Sequence, residues 1–344
     1  MRYFTLYFAL ACSNGSSSKS DDTASSEPGA EDTAPPWVPG GKGIAYLLDG
    51  TTNNSLFTLE LTNATIPPEG DSYTGFLLGG TSEISLGELT VDGSDVYWQA
   101  EIGYNGLMDG VNRFEARLSD GTVVYGGNVD PTIEQAYRQL LIASPYTPSG
   151  EGSIRALQSA IQRYIEFAQE GVDLAANGDF AVIQTRGEML FNSIYGIADD
   201  RNNDGQVSVI DNILPITDAL NGTSTAETFL VELVLDDLAL GSSAVDPGHP
   251  IKDLANYAYD CTQLVEQPAR EAAEQGDAAT ACGSIEFCSS KMQRAKEFLE
   301  AALMGTDIDE DGTISIENEA SIQCALYHVN QMAYMDIAVE YTLQ

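Results

Sequence analysis

Val96-Tyr-Trp-Gln-Ala-Glu-Ile102 sets Val96, Trp98, Ala100 and Ile102 on one side of an extended chain, with Gln99 and Glu101 on the other. A period of two is the mark of a strand with one buried face. The same rhythm extends in both directions. Residues 43–48, 56–61, 73–78, 84–91, 112–118 and 123–125 are six further strand candidates, and Leu56-Phe-Thr-Leu-Glu-Leu61 and Asn112-Arg-Phe-Glu-Ala-Arg-Leu118 are typical of them. Asp49-Gly50, Asp92-Gly93 and Asp120-Gly121 provide tight turns between strands. Seven short antiparallel strands within about 90 residues predict an Ig-like β-sandwich over 43–130.

Beyond a short predicted helix near Ile133 to Ile142 and a connector over 131–151, the period becomes 3.6. Ile154, Leu157, Ile161, Ile165, Ala168 and Val172 form one apolar helical face, closed by Asn177-Gly178. Further helices are expected at about 180–197, 208–220, 225–240, 249–275, 284–304 and 315–342, with Ser224 and Glu227 as a capping box. The fold class is therefore α+β, the sandwich being followed by an all-α domain over 152–344.

Two loops interrupt those helices. Asp200, Asn202, Asp204, Gln206, Ser208 and Asp211 stand at positions 1, 3, 5, 7, 9 and 12 of the first, with Gly205 at position 6. This is the rhythm with which an EF-hand-type loop surrounds Ca²⁺: hard oxygens on alternate residues, a backbone carbonyl at position 7 and a glycine at the sharp bend. A second copy begins 107 positions later (307 − 200) with Asp307, Asp309, Asp311, Thr313 and Ser315, and Gly312 is its turn residue. Position 12 is Asn318, flanked by Glu317 and Glu319, and Glu319 is taken to complete the set. Val207 and Ile314 fall at position 8, expected to anchor each loop to a core. The alternative is an acidic turn that binds nothing, since Asp, Asn and Gly are ordinary turn formers.

The N-terminus reads as a leader. One basic residue and a short apolar run end in Ala9-Leu10-Ala11-Cys12, after which the chain turns abruptly polar. The end of this run resembles a bacterial lipobox, which implies cleavage before Cys12 and acylation of that cysteine. An ordinary cleaved signal is the alternative. Residues 13–42 are too polar to bury a core and form a tether whose ends lie about 30 Å apart as a coil. Fifty-two acids against fifteen bases exclude nucleic acid as an expected partner and argue against adhesion to anionic lipid. The predicted location is the cell envelope, on the outer membrane or cell surface, with the membrane reached through the lipid anchor.

Apart from Cys12, the cysteines are Cys261, Cys282, Cys288 and Cys324. An even number in an exported chain suggests two disulfides with three possible connectivities. Cys282–Cys288, flanking a helix start at Ser284, and hence Cys261–Cys324, is the favoured set; no CxxC pair supports zinc. Enzyme chemistry has no motif here: His249 lies in a Pro-rich turn, and His328 with Met332 sits on a predicted helix face without a nucleophile elbow or phosphate loop nearby.

Tyr73-Thr-Gly-Phe-Leu-Leu78 followed by Ile84-Ser-Leu-Gly-Glu-Leu-Thr-Val-Asp92 resembles the extracytoplasmic β-domain of anti-sigma-K factor relatives. Arg138 to Pro145, Glu188 with Asn192-Ser-Ile-Tyr-Gly196, and Asn202-Asn-Asp204-Gly205 are similar to a helical extension found in some bacterial envelope proteins. Arg186 and Met189 stand where that family carries His beside the Glu188 position. The first loop also resembles one half of a dockerin, which implies a cohesin-like partner. The combined expectation is a lipid-anchored, non-enzymatic envelope protein with Ca²⁺ as cofactor. Its role is structural or binding, toward an envelope protein or a small ligand; a solute sensor is the alternative, and a hydrolase a more distant one.

Overall fold

The alternation at 96–102 persists in three dimensions: Val96 and Ile102 are buried while Tyr97 faces solvent. The computed structural model describes residues 37–48, 55–79, 82–102, 110–210, 213–218 and 228–341. The leader, Cys12, Asp211 and the Ser224 capping box lie outside the described residues.

All seven expected strands form: β1 (Lys42–Leu48), β2 (Ser55–Thr62), β3 (Tyr73–Gly79), β4 (Ser82–Leu89), β5 (Val96–Ile102), β6 (Arg113–Arg117) and β7 (Val123–Asn128). Helices α1 (Pro131–Leu141), α2 (Ser153–Ala176), α3 (Phe180–Tyr195), α4 (Leu230–Ser243), α5 (Pro250–Gln263), α6 (Glu266–Thr280), α7 (Ile285–Met304) and α8 (Ser321–Asn330) follow, and β8 (Ala333–Val339) is the last element among the described residues. The fold is α+β.

The strands do not divide into the two sheets of the expected sandwich. They form one antiparallel sheet in the order β4-β3-β6-β7-β8-β1-β2-β5. The sheet is barrel-like: Phe57 of β2 stacks on Phe114 of β6 at 5.6 Å although four places separate those strands. Tyr125 of β7 locks the curl, its hydroxyl donating to the Gly40 carbonyl (2.7 Å) and accepting from the Thr65 N–H (2.9 Å). Strand β8 is the reason for the single sheet, because it pairs with both β1 and β7.

Part of the helix expected over 315–342 is therefore a strand. Ala333, Met335 and Ile337 are buried while Asp336 and Ala338 are exposed, a period-two signal without any Gly or Pro to announce it. The helix expected over 249–275 is two. Pro268 sits in the first turn of α6, where its missing N–H is harmless, but its ring would clash with a carbonyl four residues back in a continuous helix. No helix covers the described part of 208–220. Ser208 and Ile210 give their N–H groups to side chains of α3, and Pro215 lies just beyond.

Candidate metal centres

Helix α3 positions the first loop. It lies against α6 at Gly187 and Gly276, where a Cβ on Gly187 would stand 2.5 Å from the Gly276 carbonyl oxygen. The next residue, Glu188, is fully out of water beneath the loop. Its Oε2 accepts the N–H groups of Arg201 (3.0 Å) and Asn202 (3.1 Å), and its Oε1 accepts that of Ser208 (2.6 Å). One turn on, Asn192 donates to the carbonyls of Asp199 (2.8 Å) and Ser208 (3.0 Å), and Ser193 Oγ accepts from Ile210 N–H (2.7 Å). A buried carboxylate is tolerated only with such donors, and three backbone amides satisfy it without a cation.

Within this loop, Asp200 accepts the N–H groups of Asp204 (3.1 Å) and Gly205 (2.9 Å), one on each oxygen. Asn202 Oδ1 accepts a second bond from Asp204 N–H (3.0 Å), and Asp204 Oδ1 accepts from Gln206 N–H (2.8 Å). Asn203 and Gly205 take φ of 58° and 87° to make the turn.

The second loop repeats the pattern step by step. Asp307 accepts from Asp311 N–H (3.2 Å) and Gly312 N–H (2.8 Å), Asp309 from Asp311 N–H (3.1 Å), and Asp311 from Thr313 N–H (2.8 Å) and the Thr313 hydroxyl (2.6 Å). Glu310 and Gly312 adopt φ of 59° and 88°, matching Asn203 and Gly205. One carboxylate oxygen each from Asp307, Asp309 and Asp311 lies within 4.8 Å of the others. The Thr313 hydroxyl, then its N–H, holds the Asp311 carboxyl below its ordinary range.

Glu319, expected as a ligand, fills a different place. It is buried, its Oε1 accepting from Ile308 N–H (2.9 Å) and Asp309 N–H (3.2 Å) and its Oε2 from Ser315 N–H (2.8 Å). These are positions 2, 3 and 9, the same three that Glu188 gathers in the first loop. Glu188 lies 12 residues before its loop (200 − 188) and Glu319 lies 12 after the start of its own (319 − 307). Ser315 Oγ accepts from Glu317 N–H (3.3 Å), so Glu317 forms part of the exit turn. Asp200, Asn202, Ser208, Asp307 and Ser315 are half-buried; Asp204, Gln206, Asp309, Asp311 and Thr313 face solvent.

The position-8 residues do not anchor the loops: Val207 is 50% and Ile314 46% exposed. The buried carboxylates do that work through position 9. Sequence reading missed Glu188, Asn192 and Ser193 in this role. Glu188 and Asn192, four residues apart, lie on the side of α3 away from the stripe of Ile183, Leu190 and Ile194, so they read as the ordinary polar face of an amphipathic helix and gave no signal of burial.

The cysteines pair as Cys261–Cys324 and Cys282–Cys288, with Cα separations of 5.8 and 5.5 Å that suit disulfides. Cys324 Sγ lies 3.1 Å and His328 Nε2 2.9 Å from the Glu317 carbonyl oxygen, which ties α8 to the second loop.

A separate cleft of about 620 Å³ opens where β7 and β8 meet the starts of α1 and α5. His249 caps α5, its Nδ1 accepting from Ile251 N–H (3.3 Å), and its Nε2 lies 3.6 Å from Asp336. Tyr334 packs edge-on against that imidazole at 5.2 Å, and burial raises its phenol to about 12. No family model, characterised protein or solved structure matches the chain.

Proposed function

We propose that this chain is a lipid-anchored cell-envelope protein whose helical part is stabilised by Ca²⁺ and whose role is structural or binding rather than catalytic. The observation that carries the reading is the coincidence of the two loops. Two stretches 107 residues apart adopt one conformation, with side-chain oxygens at positions 1, 3 and 5 turned inward on the same N–H groups. Hard oxygens on an open, flexible turn suit Ca²⁺ better than Mg²⁺, which demands octahedral geometry. Asp200, Asn202, Asp204 and the Gln206 carbonyl would hold the ion in the first loop, with Ser208 acting through water and Asp211 at position 12. Asp307, Asp309, Asp311 and the Thr313 carbonyl would do so in the second, with Ser315 acting through water.

Both loops are EF-hand-like in this reading, with the carboxylates of Glu188 and Glu319 bracing the backbone behind the metal. Cys12 is the acylation site and 13–42 the tether; among the described residues no helix is long and apolar enough to cross a bilayer. A second reading, a solute-binding lipoprotein, is favoured by the cleft at His249, which lies where sheet and helices meet.

Melting the full mature chain in Ca²⁺ and in chelator tests the first reading. Extracellular modules bind at roughly 0.1–1 mM, so a tenfold excess adds about 1.4 kcal/mol per site. Superimposable melts would end it. Replacing Cys12 with Ser should move the protein to the soluble fraction, and unchanged fractionation would remove the anchor from the proposal.

A further inference from the structure

Cys261 of α5 and Cys324 and His328 of α8 converge in the interior beside the second loop. Their sulfur atoms and one imidazole nitrogen lie within 4.8 Å of one another, and all three residues are buried. Cys324 and His328 are one helical turn apart and share a face of α8. The ring is held in place by Tyr257, stacked at 5.2 Å, and Tyr327, edge-on at 5.1 Å. To bond the Glu317 carbonyl, Nε2 must carry a hydrogen, which leaves the lone pair on Nδ1. Nδ1 is buried without a hydrogen-bond partner, an uncommon state for an interior acceptor and a natural one for a metal ligand. Two thiols and an imidazole are softer donors than the oxygens of the acidic loops, and they suit zinc rather than calcium.

We propose that the reduced chain binds Zn²⁺ through Cys261, Cys324 and His328, so that the disulfide and the metal are alternative occupants of one buried position. A small dithiol supplies two electrons and two protons to the disulfide and leaves as its own cyclic disulfide, giving two protein thiols. Zn²⁺ then displaces both thiol protons to solvent and forms two Zn–S bonds and one Zn–N bond, with water in the fourth position. Bonds of about 2.3 and 2.0 Å put tetrahedral ligand atoms roughly 3.5 Å apart; the two sulfur atoms, bonded to each other in the disulfide, part by that much on reduction, which their Cα separation of 5.8 Å allows. The inference does not depend on the calcium reading.

The test uses the full mature chain carrying Cys282→Ser and Cys288→Ser, so that one cysteine pair remains, with excess Ca²⁺ to fill the acidic loops. After reduction, Co²⁺ is titrated as a spectroscopic stand-in and then displaced by Zn²⁺. The expected result is one equivalent with a thiolate-to-metal charge-transfer band and tetrahedral visible bands, lost in Cys261→Ser and weakened at least about tenfold in His328→Ala. Near-UV circular dichroism follows folding in parallel. Absence of those bands overturns the proposal, as does equal affinity in His328→Ala, which would put the metal on the thiols of a loosened chain. Reduction that abolishes the near-UV signal without its return on adding Zn²⁺ overturns it as well.

Discussion

In the first loop the carboxylate that gathers the backbone comes from a helix made twelve residues earlier, whereas in the second it comes from the exit of the loop itself. Glu188 follows Gly187, which sits at the close crossing of α3 and α6, and Asn192 and Ser193 reinforce it from the same helix. Glu319 depends on little beyond its own neighbourhood, where Gly305 passes so near that a Cβ there would strike the Glu319 carbonyl oxygen. The second loop also has a covalent support that the first lacks, through Cys261–Cys324 and the contacts of Cys324 and His328 with Glu317. One loop conformation is thus reached by a long-range route and by a local one. Loop chemistry sets the conformation, while its resistance to disturbance is set by the surroundings.

The sharpest way to break that comparison is to remove each brace. Glu188→Ala strands three backbone N–H groups in a buried setting and should cost about 3–4 kcal/mol in urea unfolding. Glu319→Ala, with the disulfide intact, should cost clearly less, and the gap should close on reduction. Equal losses in the oxidised protein would mean that the remote and local routes are equivalent.

Next in size is Gly187→Ala. A methyl at the α3–α6 crossing should destabilise by about 1–3 kcal/mol and lower calcium affinity at the first loop only, as read by amide resonances of the two loops. Disturbance of both loops would show that they are coupled.

Asp237→Asn is the control that should leave both loops alone. Burial raises the Asp237 carboxyl to about 6, against the lowering effect of the Ser153 hydroxyl that bonds it at 2.6 Å. A raised folded pKa gives stability that is present below the unfolded value and is lost as pH climbs through about 6. The amide should therefore be more stable than the parent at pH 8, by about 1 kcal/mol, with little difference at pH 4. A constant difference across that range would assign the effect to packing.

The smallest effect comes from exchanging the position-3 residues. Asp309→Asn should weaken the second site a few-fold and ease its apo state, because it removes one of three carboxylates within 4.8 Å. Asn202→Asp should do the reverse in the first. Calcium titrations of the two variants check the pair.

Much of this was legible in the sequence. The seven strands of the β-region were readable because apolar residues alternate along most of them, although β6 and β7 bury successive residues, and the loops because their spacing is local and fixed. The eighth strand was not: Ala333 to Val339 follows a helix without a breaker, and its place between β7 and β1 depends on strands more than 200 residues away (333 − 128 = 205). The braces were hidden for a related reason. One carboxylate precedes its loop and the other follows, so no single motif contains both, and Glu319 stands next to the position where a metal ligand is usually sought.

Calorimetric titration of the chelator-treated full mature chain with Ca²⁺ tests the central claim most directly, with Asp204→Ala and Asp311→Ala alongside. Two weak sites of similar affinity are predicted in the parent, Asp204→Ala losing one and Asp311→Ala the other, while Mg²⁺ gives little heat. Absence of calcium binding, or a parent isotherm that neither substitution alters, would contradict the account.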